Sequence, residues 1–478
     1  MNYRMIKNIL GWLLIFEAGF FIVPIITAAV YRERVILDFL LAALICVCIG
    51  TVFLLICKPK SKTLYSRDGF VIVSLSWIAL SIFGSLPFIT SGVIPSYIDA
   101  LFETVSGFTT TGASILSDVE SLPRSMLMWR SFTHWVGGMG VLVFVMAFVP
   151  LSSGSLYIMK AESTGPSVGK LVPRIKTTAL ILYCIYFVIT IIMFIFLLCG
   201  GMSFFEAINT AFSTAGTGGF GIKNDSLGSY SPYIQYVVAA FMLIFSINFN
   251  SYYLGMKLRF GSAFNAEVRT LLVIVAVATG VIMLNISDMF AGTEEAFRHS
   301  FFTVLTLIST SGYSTTDFNL WPEISRVIII LVMFIGGCAG STAGGIKVSR
   351  ILILCKGAVK ELGQMLHPKQ VKKVTLDSRP VEHEVVRSVN AYIVCYVLIF
   401  AISMILVSFD NHDLITNFTS VLATLNNIGP GLEGVGPTQN FAFFSLPTKI
   451  VLIIDMLAGR LELFPMLLLF NPSTWKRT

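Results

Sequence analysis

The sequence predicts an all-α polytopic membrane protein with ten transmembrane helices, the last eight grouped as four like-oriented repeats. Three observations predict it: hydropathy, an asymmetry of basic residues, and a short glycine-centred motif that occurs four times. The chain is 55% hydrophobic and 12% charged, with a mean hydropathy of +0.82. These values lie well outside the range of soluble domains. Apolar runs of about 20 residues, the length that crosses a bilayer, fall at 9–31, 36–57, 69–90, 128–150, 178–200, 232–256, 268–286, 325–355, 386–408 and 443–470. The first has the wrong flanks for a cleaved signal peptide and reads as a retained span. Segments around 99–112, 205–219, 296–312 and 415–429 are also apolar but too short to cross.

Basic residues gather on the cytoplasmic side of alternate loops. With both termini inside, twenty-four of the 33 Lys and Arg residues fall on that side, from Arg4 and Lys7 to Lys476 and Arg477. Eight fall outside: Arg32, Arg34, Arg124, Arg130, Lys223, Arg298, Arg326 and Lys449. Arg460 alone lies within a span. Topology therefore accounts for the net charge of +7 without nucleic acid. The eight cysteines sit in or beside apolar runs without CxxC spacing, which suits small buried hydrophobes. The five histidines are scattered, without metal-ligand spacing.

The four short segments align on Gly112, Gly219, Gly312 and Gly429, at spacings of 107, 93 and 117 residues. Eleven and seven residues before each glycine stand apolar pairs: Leu101 and Val105, Ile208 and Phe212, Phe301 and Leu305, Phe418 and Leu422. Four residues apart places each pair on one helical face. Each segment thus reads as a short helix entering a polar loop. Ser96 with Asp99 and Ser203 with Glu206 have capping-box character, Asp413 with Thr416 matches in position, and the third helix is expected to be capped by Thr293.

A helix that enters the membrane partway and returns as a loop leaves carbonyls unpaired, which is tolerable only where protein or a water-filled cavity satisfies them. A dehydrated cation satisfies them well. Four short helices aimed at one axis present the negative ends of their dipoles to a cavity. Glycine lets carbonyls turn inward, and threonine adds a hydroxyl without charge. Four units of two spans share one orientation, unlike two inverted repeats. The expected arrangement is four helix–pore-loop–helix repeats around a pseudo-fourfold pore.

GFTTTGAS, FSTAGTGGFG, STSGYSTTDF, LNNIGPG, THWVGGMGVLVF and GGCAGSTAGGIKVSR resemble the Trk/Ktr/HKT superfamily of potassium transporters, closest in its bacterial TrkH/TrkG branch. The resemblance covers the whole chain, including an extra N-terminal pair of spans. It implies potassium uptake across the bacterial inner membrane, channel-like and controlled by a cytosolic TrkA-like ring. It also implies a homodimer in which each protomer holds its own pore. The potassium filter would be Thr109, Thr110, Thr111 and Gly112; Gly216, Thr217, Gly218 and Gly219; Ser309, Thr310, Ser311 and Gly312; and Asn426, Asn427, Ile428 and Gly429. Gly112, where the plant branch with sodium preference has serine, implies potassium preference. No cofactor is expected in the chain, and NAD or ATP/ADP would act only through the regulatory partner.

The corresponding division is 1–68, an N-terminal pair of helices; 69–165, repeat one; 166–265, repeat two; 266–381, repeat three with an intramembrane loop; and 382–478, repeat four. Residues Gly336 to Gly345 put five glycines, Gly336, Gly337, Gly340, Gly344 and Gly345, inside an expected helix at about 1 kcal/mol each. The helix is therefore expected to break there. In the family the equivalent stretch obstructs the pore below the filter. GGMG at Gly137 suits close helix packing.

Arg460 admits two readings, a structural pair with Glu462 or Asp455 or a cation facing the pore beside the Gly-rich loop. An intramembrane charge is costly either way. Gly216, Gly218 and Gly221 satisfy GxGxxG but lack the preceding strand and following helix of a dinucleotide site. The basic stretch from Lys347 to Lys373 suits a lipid-facing patch or a docking surface for the ring. No nucleophile, base and orienting group cluster, so an enzyme is not expected. A potassium symporter coupled to protons or sodium stays open as the alternative, and a receptor-like scaffold would carry no flux.

Overall fold

The computed structural model describes residues 1–57, 65–140, 175–368, 373–377 and 379–475. The part of the fourth expected span beyond residue 140 lies outside them. So do Lys58, Lys60, Lys62, Lys160, Lys170, Arg174, Lys369, Lys372, Lys476 and Arg477 of the basic asymmetry. The chain is a helical membrane-type protein. Among the described residues the only strands are a two-residue antiparallel pair, β1 (Thr375–Leu376) and β2 (Arg379–Pro380).

The helices that position the site run in order: α1 (Tyr3–Phe20), α2 (Ile22–Tyr31), α3 (Ile36–Ile56), α4 (Ser66–Gly84), α5 (Leu86–Thr90), α6 (Tyr97–Phe108) and α7 (Arg124–Gly138). Then come α8 (Ile175–Cys199), α9 (Phe204–Gly216), α10 (Pro232–Ser246), α11 (Phe249–Met256), α12 (Ala266–Ile286) and α13 (Thr293–Ile308). The rest are α14 (Glu323–Ile335), α15 (Val348–Leu366), α16 (His383–Val407), α17 (Leu414–Leu425), α18 (Leu446–Arg460) and α19 (Phe464–Phe470).

Six stretches among the described residues are long and apolar enough to cross a membrane: Tyr3–Tyr31, Ile36–Ile56, Arg67–Thr90, Ala179–Cys199, Ala266–Met289 and His383–Asp410. Among the described residues the other four expected spans are short or broken. Helix α7 stops at Gly138. Helices α10 and α11 meet at a 90° bend, where Ile247 leaves helical geometry with ψ 146°. Helix α14 ends before Gly336 and α15 begins at Val348, which separates the two ends of the expected eighth span. Helices α18 and α19 are parted at Glu462 and Leu463, both with positive φ, 55° and 65°. Glycine clusters mark two of these places, but only that at Gly336 was read as a break, GGMG at the end of α7 being read as close packing.

Buried apolar side chains form two clusters. One joins α1, α3, α4, α6, α7, α16, α17 and α18 around residues such as Trp77, Phe102, Trp129 and Met456. The other joins α8, α9, α10, α12, α13 and α14 around Tyr186, Phe245, Phe302 and Tyr313. Without a water-driven hydrophobic term between helices in lipid, close packing holds them together. At the α1–α3 crossing, a Cβ on Gly11 or Gly50 would lie 2.9 or 2.8 Å from the carbonyl oxygen of the other.

Three expectations need correction. Thr293 is the first helical residue of α13, not its cap; the N-cap is Gly292, and Glu295 accepts the Ala291 N–H at 3.3 Å. Of the cysteines, only Cys46 and Cys338 are buried, while Cys48, Cys184, Cys199 and Cys355 are exposed on helix faces. A small apolar side chain needs no protein cover on a surface that meets lipid. Arg130, counted with the outer segments, is buried within α7 and paired with Glu103 at 2.8 Å.

Candidate functional site

Helices α6, α9, α13 and α17 end in one repeated backbone device. At Thr110, Thr217, Thr310 and Asn427 the φ angle is 55°, 56°, 58° and 55°. Each N–H there donates to the carbonyl three residues back, at 3.1, 3.0, 3.1 and 3.2 Å. The next N–H, from Thr111, Gly218, Ser311 or Ile428, reaches five residues back at 2.9, 2.9, 2.8 and 2.8 Å. This is the Schellman ending, in which a left-handed residue lets two N–H groups close on the helix. Glycine normally takes that position. Here it is held by three threonines and an asparagine, although a left-handed L-residue costs roughly 1–2 kcal/mol. Strain of this kind persists only where the surroundings over-determine it.

Backbone of alternating handedness turns N–H groups to one side and carbonyls to the other. The glycines that follow, Gly112, Gly219, Gly312 and Gly429, again have positive φ, 81°, 75°, 78° and 100°. They bring the loops together in a closed order. A Cβ on Gly112 would strike the carbonyl of Gly218, one on Gly219 that of Ser311, and one on Gly312 that of Ile428. One on Gly429 would come 2.8 Å from the carbonyl of Thr111. Each loop therefore touches the next and the fourth returns to the first.

Side chains brace this ring. Thr109 Oγ1 donates to Val105 O at 2.6 Å and lies 2.8 Å from Thr111 Oγ1; Ser309 and Ser311 repeat that contact at 2.9 Å. Asn427 Nδ2 donates to Thr111 Oγ1 and to Met456 O, both at 2.9 Å. Asn426 turns away, donating to Tyr396 Oη at 2.9 Å. Ile428 joins the second apolar cluster. Gly216 and Gly218 back onto His134, whose ring stacks on Phe220 at 4.2 Å.

A cavity of about 130 Å³ opens beyond the four glycines, lined by Ser114, Phe220, Ser314, Pro430 and the Arg130 side chain. Arg130 is neutralised by Glu103, which also accepts from Ser114 Oγ and Ile115 N, both at 3.1 Å. Lys223 folds aside onto Ser229 Oγ at 3.2 Å and over the Tyr230 ring.

On the helix side of the ring lies the Gly-rich loop, 336–347. Gly344 N donates to Thr310 Oγ1 at 2.7 Å, linking the loop to one of the strained residues. Cys338 N donates to Ser246 O at 2.9 Å, Thr342 Oγ1 to Phe245 O at 3.1 Å, and Phe249 N to Gly340 O at 3.1 Å. These bonds join the two breaks. The carbonyls freed where α10 bends are the ones that the loop satisfies, as backbone at membrane depth requires.

Arg460, 8% exposed, closes the arrangement. Its Nη1 donates to Thr110 Oγ1 at 3.2 Å and Thr342 O at 2.9 Å, and its Nη2 to Gly137 O at 2.6 Å and Gly138 O at 2.7 Å. Glu462 pairs with Arg350 and Asp455 accepts from Ser403 at 2.7 Å. The GGMG stretch packs Gly137 on Phe108 and Gly138 on Gly216, and its carbonyls also hold Arg460, a role its spacing did not announce.

Sequence reading missed the α10–α11 bend, the Glu103–Arg130 pair and Glu267, whose Oε1 accepts from Ala339 N and Ser349 N. Two asparagines within the apolar run SINFNS were the available signal for the bend.

A protein-family model described as TrkH, cation transport protein, matches residues 36–477. The potassium uptake protein TrkH of Salmonella typhimurium is 37% identical over 486 residues, and that of Escherichia coli K12 35%, each alignment covering 100% of both chains. The crystal structure of the potassium transporter TrkH from Vibrio parahaemolyticus matches with a TM-score of 0.90 and 33% identity, covering 100% of each chain.

Proposed function

Because the chain belongs to the TrkH family of cation transport proteins, we propose that it takes up potassium ions across the bacterial inner membrane through a pore made by its own four loops. One observation carries the reading: the same strained helix ending occurs four times, and the loops that follow contact one another in a closed order. On this reading ten segments, short and broken ones included, surround the pore. The last eight form four like-oriented repeats about a pseudo-fourfold axis, divided as the sequence motifs divide them. The termini face the cytoplasm.

The N–H groups of each ending are consumed by the helix, so the carbonyls before the glycines are left for a cation that has shed its water. The four helix C-termini add the negative ends of their dipoles. Electroneutral threonine hydroxyls hold the ring without a fixed charge that would trap the ion. Below it, the Gly-rich loop is the gate and Arg460 the cation that closes the passage beside it. An inside-negative potential contributes about 2.3 kcal/mol per 100 mV for each charge moved. A second copy of the chain and a TrkA-like nucleotide-binding ring complete the assembly, and NAD or ATP/ADP would bind that ring.

The test is cation flux into liposomes holding the purified chain. Potassium and rubidium are expected to pass while sodium lags, with a reversal potential that follows potassium alone. A reversal potential that tracks protons or sodium as well would favour symport. Absence of flux even with the cytosolic ring added would overturn the transport reading.

A further inference from the structure

We infer that Glu267 is the latch of the Gly-rich loop, a positioning residue whose grip sets how often the passage opens. This rests on the reading of that loop as the gate. Glu267 stands in the first turn of α12, a helix that contributes nothing to the four-loop ring. One of its oxygens, Oε1, accepts from Ala339 N at 2.6 Å and from Ser349 N at 3.1 Å. Those N–H groups lie on opposite limbs of the loop, ten residues apart in sequence, so a single oxygen ties its two ends to a third element. Both are groups that helix breakage leaves without an intrahelical partner.

The loop's other fastenings do not duplicate this one. Thr310 and Arg460 hold its tip at Gly344 and Thr342, and the α10 bend holds its near limb at Cys338 and Gly340. Backbone bonds at the neck, from Ile346 N to Phe334 O at 3.3 Å, Lys347 N to Ile335 O at 2.9 Å and Val348 N to Gly337 O at 3.1 Å, join the limbs to each other, whereas Glu267 ties both limbs to a third element. The same helix end is fastened from outside as well. Asp377, in the turn between β1 and β2, accepts from Ala266 N at 2.8 Å and Arg269 Nη2 at 3.2 Å. Displacing that hairpin would therefore act on the residue next to the latch.

The experiment measures rubidium flux and single-channel open probability of the full chain in liposomes for Glu267→Ala, Glu267→Gln and a variant shortened within Gly336 to Gly345. Glu267→Ala should raise flux several-fold through open probability, with unit conductance and potassium-over-sodium preference unchanged. Glu267→Gln keeps an acceptor oxygen and should fall between Ala and the native chain. A merely structural role would lower flux or yield rather than raise opening. If the shortened variant gains flux and neither Glu267 variant does, the latch is overturned and the gate stands. If none of the three gains flux, the gate reading falls and the latch with it. Should the Ala variant fail to fold, Glu267→Gln decides alone, and flux no higher than native overturns the proposal.

Discussion

The four-loop ring and the Gly-rich loop beneath it are both irregular backbone at membrane depth, yet they are held in opposite ways. Each ring loop is fastened to its own helix by two backbone bonds of fixed offset, and its strain is local. The Gly-rich loop is closed at its neck by backbone bonds from Ile346, Lys347 and Val348 to Phe334, Ile335 and Gly337, but the stretch between, 338–344, is held mainly by other elements: the α10 bend, Glu267, Thr310 and Arg460. Self-fastened loops keep their geometry while neighbours move. A loop fastened by others can be let go.

The largest test of this contrast is removal of residues from Gly336 to Gly345. Several bonds of about 1 kcal/mol each are lost, so flux should rise about tenfold or more, since 1.4 kcal/mol is a factor of ten. Selectivity should stay unchanged when rubidium and sodium fluxes are compared. Gly112→Ser acts on the other side of the contrast. It places a Cβ against the Gly218 carbonyl at φ 81°, and should loosen preference against sodium severalfold with little change in gating. Competition of sodium with rubidium uptake measures it.

Arg460→Met tests the contact between the two regions. It removes donors to Thr110, Thr342, Gly137 and Gly138, at about 1.5–3 kcal/mol for a charged bond. Open probability should rise and selectivity shift slightly through Thr110. Thr217→Gly probes strain alone, because among the described residues the Thr217 hydroxyl bonds only to Gly216 O. Thermal stability should rise by about 1 kcal/mol, and a loss of selectivity would show that the strain is used.

The smallest effect is at the mouth. Asn224 donates to Asp118 at 2.9 Å and holds its carboxyl below the usual range. A depressed pKa stabilises above the ordinary carboxylate value of about 3.9 and loses that contribution as pH falls through the folded value. Only below about pH 4 should the loops from 117 to 120 and 223 to 226 loosen, as hydrogen exchange would report.

How much of this was legible in the sequence follows from the range of each signal. Hydropathy and the glycine repeat located the helices and the ring residues, because apolar spacing and a left-handed turn are local requirements. The alignment on Gly112, Gly219, Gly312 and Gly429 takes in the positions two residues earlier, but nothing in TTTG or NNIG says that Thr110 and Asn427 are left-handed. Gly336 to Gly345 announced a break by composition. The α10 bend did not, since SINFNS has no glycine or proline and depends on a partner some ninety residues away. Arg460 showed its cost but not its acceptors, which among the described residues come from three other segments of the chain.

The pairing of the two breaks also bears on how the chain is assembled. The carbonyls of Phe245 and Ser246 find their partners only at Thr342 and Cys338. At about 5–20 residues per second, the ribosome needs on the order of ten seconds to make the intervening stretch. Were the segment bent during that interval, it would carry unpaired carbonyls that lipid does not satisfy. A sixth segment that bends only once the eighth is present avoids that interval, and a nascent chain arrested between them is expected to hold residues 232–256 as a straighter helix than the finished chain does.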